Sequence, residues 1–151
     1  MRIARLLLIT SALSAAACGS SGSTSATAPS PTIATDTLTG TVPAAVNGAP
    51  QSVFNTFTVG QGGGTVTVTL TSAVETLPGG NQNSAVAVGM GVGTASGFTC
   101  ALPAGSAPTI LQAGANSALS GSLTAGTYCV LLTDVTIQPG PVAYTVAVQH
   151  P

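Results

Sequence analysis

Residues 65–71 read Thr-Val-Thr-Val-Thr-Leu-Thr, and this strict alternation constrains the chain more than any other stretch. A period of two belongs to a β-strand: Val66, Val68 and Leu70 share one face, and the threonines share the other. Such a strand is stable only if its apolar face meets another apolar layer. Further β-prone runs cover 37–42, 52–59, 85–92, 109–113, 117–123, 127–134 and 142–149, and the alternating run itself extends over 65–72. Gly60-Gln61-Gly62-Gly63-Gly64, Pro78-Gly79-Gly80, Pro103-Ala104-Gly105, Gly126 and Pro139-Gly140-Pro141 punctuate them as turns. Residues 128–132 are apolar on both faces, which suggests a central strand covered on both sides. Tyr144, Val146 and Val148 alternate again. The pattern predicts an all-β fold, a β-sandwich of jelly-roll type with about eight strands.

Composition narrows the function classes. The only basic residues are Arg2 and Arg5, and the acids are Asp36, Glu75 and Asp134. Nucleic-acid binding and polybasic membrane attachment need cations, and residues 6–151 contain no Lys or Arg. Hydrophobic residues make up 44% of the chain but aromatics only 3%, so the expected core is modest and lacks large anchors.

Arg2 and Arg5 precede an apolar run, Leu6-Leu7-Leu8-Ile9, and then the small residues Ala15-Ala16-Ala17. A basic start, a short apolar stretch and a small-residue cleavage site make a secretory signal. The apolar stretch is shorter than the roughly 20 residues that a spanning helix needs. Residues 19–35, GSSGSTSATAPSPTIAT, read as an uncharged linker. Extended, it would reach roughly 50 Å at about 3.1 Å per residue. The expected organisation is a signal over 1–17, Cys18 and a linker over 18–35, and one domain over 36–151.

Cys18 directly after the small residues resembles a bacterial lipoprotein signal, although Ala15 stands where that motif usually has Leu. The resemblance implies that Cys18 is lipidated and becomes the N-terminus, with more than one acyl chain for stable attachment. Gly19 after the cysteine resembles outer-membrane sorting, so the expected location is the cell envelope, anchored to the outer membrane. Ordinary secretion with Cys18 as a free thiol is the alternative. If Cys18 is lipidated, Cys100 and Cys129 remain as a pair in an oxidising compartment and are expected to form a disulfide, with two buried thiols as the alternative.

The final third, Leu119–Asp134 with Gly126-Thr127-Tyr128 at its centre, then Tyr144-Thr145-Val146-Ala147-Val148, resembles the end of bacterial pre-peptidase C-terminal domains. Phe57-Thr58-Val59-Gly60 followed by residues 64–70 resembles an upstream segment of the same family. The resemblance implies a jelly-roll-like sandwich without catalytic residues, serving binding, targeting or solubility. The family's acidic strand is replaced here by Ala85-Val86-Ala87-Val88-Gly89-Met90, so the resemblance carries no calcium role to this chain.

Catalytic chemistry finds few candidates. His150 is the only base for a Ser or Cys nucleophile, and its place near the chain end suggests an exposed residue. Asp36, Glu75 and Asp134 are too scattered to suggest a carboxylate pair. No Cys-x-x-Cys spacing supports a metal site. Asn81-Gln82-Asn83 reads as a polar turn. Gly60–Gly64 lacks the lysine and helix of a phosphate loop. Tyr128 and Tyr144 read as core residues with bonded hydroxyls, and Phe54, Phe57 and Phe98 as core. The expectation is a non-enzymatic envelope lipoprotein without cofactor or metal, held at the membrane by Cys18. Its sandwich would be a binding or structural module with a protein or glycan partner. The alternatives are a carbohydrate- or wall-polymer-binding module and a small subunit of an envelope complex.

Overall fold

The computed structural model describes residues 32–114 and 116–151. Cys18, the signal and most of the linker lie outside the described residues. Ten strands form two antiparallel sheets: β1 Ala34–Val42, β2 Ser52–Val59, β3 Gly64–Thr76, β4 Gln82–Asn83, β5 Ala87–Ser96, β6 Thr99–Ala101, β7 Thr109–Gln112, β8 Ala118–Leu123, β9 Gly126–Thr133 and β10 Val142–His150. One sheet runs β1-β10-β3, with β8 and β4 paired to the two ends of β3. The other runs β2-β9-β5, with β7 and β6 paired to the two ends of β5. The inner faces meet in one core. Val66, Val68, Leu70 and Val146 come from the first sheet, and Phe57, Met90, Val130 and Leu132 from the second. The chain is therefore an all-β sandwich.

Among the described residues there are ten strands, where the sequence pattern predicts about eight. The turn expected at 81–83 contains β4, where Gln82 pairs with Thr76 and Asn83 with Glu75. The short β6 follows a Gly97-Phe98 turn that closes a hairpin onto β5. β1 begins at Ala34, inside the expected linker.

The alternation in β3 holds through Leu70 and then changes parity. Thr145 pairs with Ser72 but Val146 pairs with Leu70, leaving Thr71 as the extra residue of a β-bulge. The Thr71 hydroxyl donates to the Thr145 carbonyl at 3.0 Å, which holds the irregularity closed. Before the bulge the even-numbered side chains face inward; after it Ala73 and Glu75 do. A one-residue slip moves every later side chain to the opposite face. Glu75, which the threonine rhythm places in solvent, is consequently 3% exposed.

The second sheet is covered on part of its outer face too. Gly89, Gly91 and Gly93 occupy alternate positions of β5, opposite in direction to the buried Val88 and Met90. A Cβ at Gly91 would lie 2.8 Å from Leu102 Cδ2, and one at Gly89 would lie 2.7 Å from Thr133 Cγ2 and Val135 Cγ1 and 3.0 Å from Pro108 Cβ. One at Gly93 would collide with the Ala101 carbonyl. β6 and the segment after it thus pack closely on β5: the Ala101 backbone requires glycine at 93, whereas Gly91 and Gly89 face side-chain atoms. Cys100 in this layer is bonded to Cys129 on the outer face of β9, with Cα atoms 5.8 Å apart. This covering accounts for the complete burial of Cys129, and for the apolar character of both faces of β9.

Candidate functional site

Glu75 borders a cleft of about 390 Å³ at one end of the sandwich. Asn83 of β4, Ala85 and Val86 before β5, Ala87 at its start, Gln112 of β7 and residues 136–139 between β9 and β10 complete it. Each wall has a local cause. Asp134, just after β9, is 2% exposed, and its carboxylate accepts the Thr136 amide at 3.0 Å and the Gln138 amide at 2.8 Å. These two bonds wind the chain into a tight turn, an Asx-type arrangement in which a side chain replaces a backbone acceptor. Between the two amides sits Ile137 at φ 55°, 56% exposed. A β-branched residue in the left-handed region is strained, at a cost of order 1–3 kcal/mol. The surrounding bonds hold it there: Gln138 Nε2 donates to the Ala87 carbonyl at 2.8 Å, and Ala45 donates to the Gln138 carbonyl at 3.3 Å.

Glu75 closes the same turn from the opposite sheet. Its Oε1 accepts the Gly140 amide at 3.1 Å, and Thr76 N–H donates to the Pro141 carbonyl at 2.9 Å. A Cβ at Gly140 would collide with the Thr76 carbonyl, so this approach requires glycine. Glu75 Oε2 has one longer contact, 3.4 Å from Asn83 Nδ2. Asn83 Oδ1 accepts the Ala85 amide at 3.0 Å, and Gln112 Nε2 donates to the Ala85 carbonyl at 3.4 Å. Gln138 is 5% exposed, and its Oε1 has no hydrogen-bond partner. The cleft therefore presents a buried carboxylate, primary amides and short apolar side chains.

The carboxylates fall into different places. Asp36 pairs with Val148 of β10, whereas Glu75 pairs with Val142, six residues away on the same strand. At about 3.4 Å per residue that separates them by roughly 20 Å. His150 lies at the Asp36 end and is not the exposed residue expected from its position: it is 7% exposed. Its Nε2 is 3.1 Å from Asp36 Oδ2, its Nδ1 is 3.1 Å from the Pro151 carbonyl, and its ring centroid is 6.0 Å from that of Phe57. The Pro151 carbonyl also accepts the Gly60 amide at 3.0 Å. His150 is buried because β10 runs through it, paired with Ala34 of β1. Its geometry fastens strand ends together.

The aromatics divide differently from the expectation. Phe57 and Tyr144 are in the core, and the Tyr144 hydroxyl accepts from Asn55 Nδ2 at 2.8 Å. Burial raises the Tyr144 pKa above its ordinary value, with the Asn55 hydrogen bond acting the other way. Tyr128 is half-buried and donates to the Thr124 carbonyl at 3.1 Å. Phe54 is half-buried. Phe98 is not a core residue: it is 99% exposed at the tip of the β5–β6 hairpin. The Gly97-Phe98 pair between two β-prone segments was the available signal, because a two-residue turn points its side chains away from the sheet.

A second, smaller cavity of about 90 Å³ opens beside β8, lined by Val66, Val92, Leu119, Ser120, Gly121 and Leu123. Gly121 pairs with the inward Val66, and nothing lies within 4 Å of where its Cβ would be. The missing side chain creates the slot.

No protein-family model matches the chain, and no curated protein matches it.

Proposed function

We propose that the protein is a non-enzymatic lipoprotein of the cell envelope, tethered through Cys18, whose sandwich serves as a binding or structural module. The observation that carries this reading is the cysteine at the end of a basic, apolar and small-residue leader. The Cys100–Cys129 bond supports it: of three cysteines, Cys18 is the one left for a lipid, and disulfides belong to exported proteins. The strand order supports the jelly-roll reading and the resemblance to pre-peptidase C-terminal domains. With β4 and β6 set aside, β1-β10-β3-β8 faces β2-β9-β5-β7. The polar side chains at the cleft and at the Asp36 end hold turns and strand ends, a structural use that accords with a module rather than a catalyst.

A carbohydrate- or wall-polymer-binding module is the second reading, and the fully exposed Phe98 favours it. An aromatic face at a hairpin tip offers apolar area to a sugar ring. A small subunit of an envelope complex is the third.

Cys18→Ser tests the anchor. The wild-type chain should fractionate with outer membranes and the variant should be soluble. Equal distribution of both would overturn the tether. Glycan arrays and crosslinking in intact cells separate the glycan partner from the protein partner.

A further inference from the structure

We infer that the end cleft is a site for a primary alkylammonium group, of the kind carried by a lysine side chain. The inference rests on the binding-module reading and names the ligand class for one cleft. Glu75 lines the cleft at 3% exposure, yet residues 6–151 contain no Lys or Arg to face it. A buried anion without a countercharge is costly, and proteins normally pair it. The β-bulge at Thr71 is what turns this carboxylate inward, and bulges recur where a side chain is re-aimed for use.

The hydrogen bonds select the shape of the cation. Glu75 Oε1 is held by the Gly140 amide, while Oε2 has only the 3.4 Å contact with Asn83. A guanidinium prefers both carboxylate oxygens in parallel; a single available oxygen suits a point charge such as an ammonium. Calcium takes six to eight oxygen ligands, commonly several carboxylates, and Glu75 is the single carboxylate lining the cleft. Anionic ligands would meet Glu75 with no compensating cation. Ala85, Val86, Ile137 and Pro139 supply apolar contact for a methylene stem, as lysine stems use elsewhere. Gln138, nine-tenths buried and lining the same cleft, has an Oε1 without a hydrogen-bond partner, so acceptor capacity is left over in the cleft wall. Since residues 6–151 carry no Lys or Arg, another copy of the domain cannot supply the cation; the ligand belongs to a different molecule.

The test is an amide NMR titration of the isotope-labelled mature chain, residues 18–151, in detergent. The probes are N-acetyl-lysine N-methylamide, its norleucine counterpart, pentylamine, calcium chloride and N-acetylglucosamine. The lysine derivative should shift the amides of residues 75, 83, 137, 138 and 140 in a saturable way. The norleucine derivative, with the same stem and no charge, should bind about tenfold more weakly or less, and Glu75→Gln should weaken the lysine derivative by about the same factor. Pentylamine as strong as the lysine derivative assigns the site to free amines; a clear preference for the lysine derivative assigns it to lysine in a polypeptide. Equal binding of the norleucine derivative, an unaffected Glu75→Gln variant, or calcium occupying the cleft in place of the amine would overturn the inference. The norleucine comparison uses the unmodified protein and holds even if the variant fails to fold. N-acetylglucosamine shifting residues near Phe98, with the cleft silent to amine, would sink this site and leave the module reading standing.

Discussion

The carbonyl oxygen of Ala101 occupies the place that a side chain at Gly93 would need. The neighbouring Gly91 faces only the tip of the Leu102 side chain, 2.8 Å from its notional Cβ. The difference between a backbone and a flexible side-chain obstacle sets different tolerances on one strand face. Gly93→Ala must push β6 away from β5 and should destabilise by about 1–3 kcal/mol. Gly91→Ala can be absorbed by a Leu102 rotamer and should cost less than about 1 kcal/mol. Urea unfolding of the two variants checks the order; equal losses would mean that the segment after β6 does not press on β5.

Gly121 presents the opposite situation, an inward position of β8 with open space where a Cβ would stand. Glycine in a strand interior loses backbone entropy and packs nothing. Gly121→Ala should raise stability by about 0.4–1 kcal/mol and shrink the slot beside Val66. A lower urea midpoint with an unchanged slope would contradict this.

The Cys100–Cys129 bond closes a loop with a sequence separation of 29 and pins the covering segment to β9. Loop-closure entropy assigns such a bond roughly 3–4 kcal/mol. Unfolding in the presence of reductant, or of the Cys100→Ala/Cys129→Ala double variant, should show a loss of that size. A loss under about 1 kcal/mol would mean that β6 is held by its pairing with β5 alone.

Much of this fold is legible from the chain because alternation and turn residues report on single strands. The inward faces of β3 before the bulge and of β10 follow from their period of two, and the ends of β2 coincide with its β-prone run. What escapes that reading depends on pairs of strands. The bulge at Thr71 is a mismatch between β3 and β10, so nothing in residues 65–76 alone announces that Glu75 points inward. The short β4 and β6 exist only through their partners. His150 looks terminal in the chain but is enclosed by Asp36 and Phe57, which come from distant parts of it, as well as by the adjacent Pro151. Two features did carry a readable signal. Glycine at every second position of β5 marks a close backbone approach, and Gly97-Phe98 marks a hairpin tip. The end cleft draws on β3, β4, β5, β7 and the turn after β9, and no local pattern contains such a convergence.

Tyr144 makes the alkaline limit of stability testable. Its pKa is raised above the ordinary 10.0 by burial, so the folded state favours the neutral phenol. The stabilisation is complete below pH 10.0, the ordinary value that the unfolded chain is taken to have, and is lost as pH rises through the folded-state pKa. Tyr144→Phe should remove this part of the alkaline loss. At neutral pH the variant should cost about 1 kcal/mol, because the Asn55 amide loses the nearer of its two acceptors and keeps only the Thr39 carbonyl at 3.3 Å. Chemical unfolding at pH 8 and at pH 11 checks both. An unchanged alkaline slope would mean that Tyr144 ionises as readily in the fold as out of it.

The most direct test of the account is the intact, non-reduced mass of the protein extracted from native membranes. Tethering through Cys18 predicts residues 18–151 carrying acyl groups on that cysteine, with two hydrogens missing for the Cys100–Cys129 bond. An unacylated mass recovered from the soluble fraction would contradict the tether and would make the protein a freely exported module.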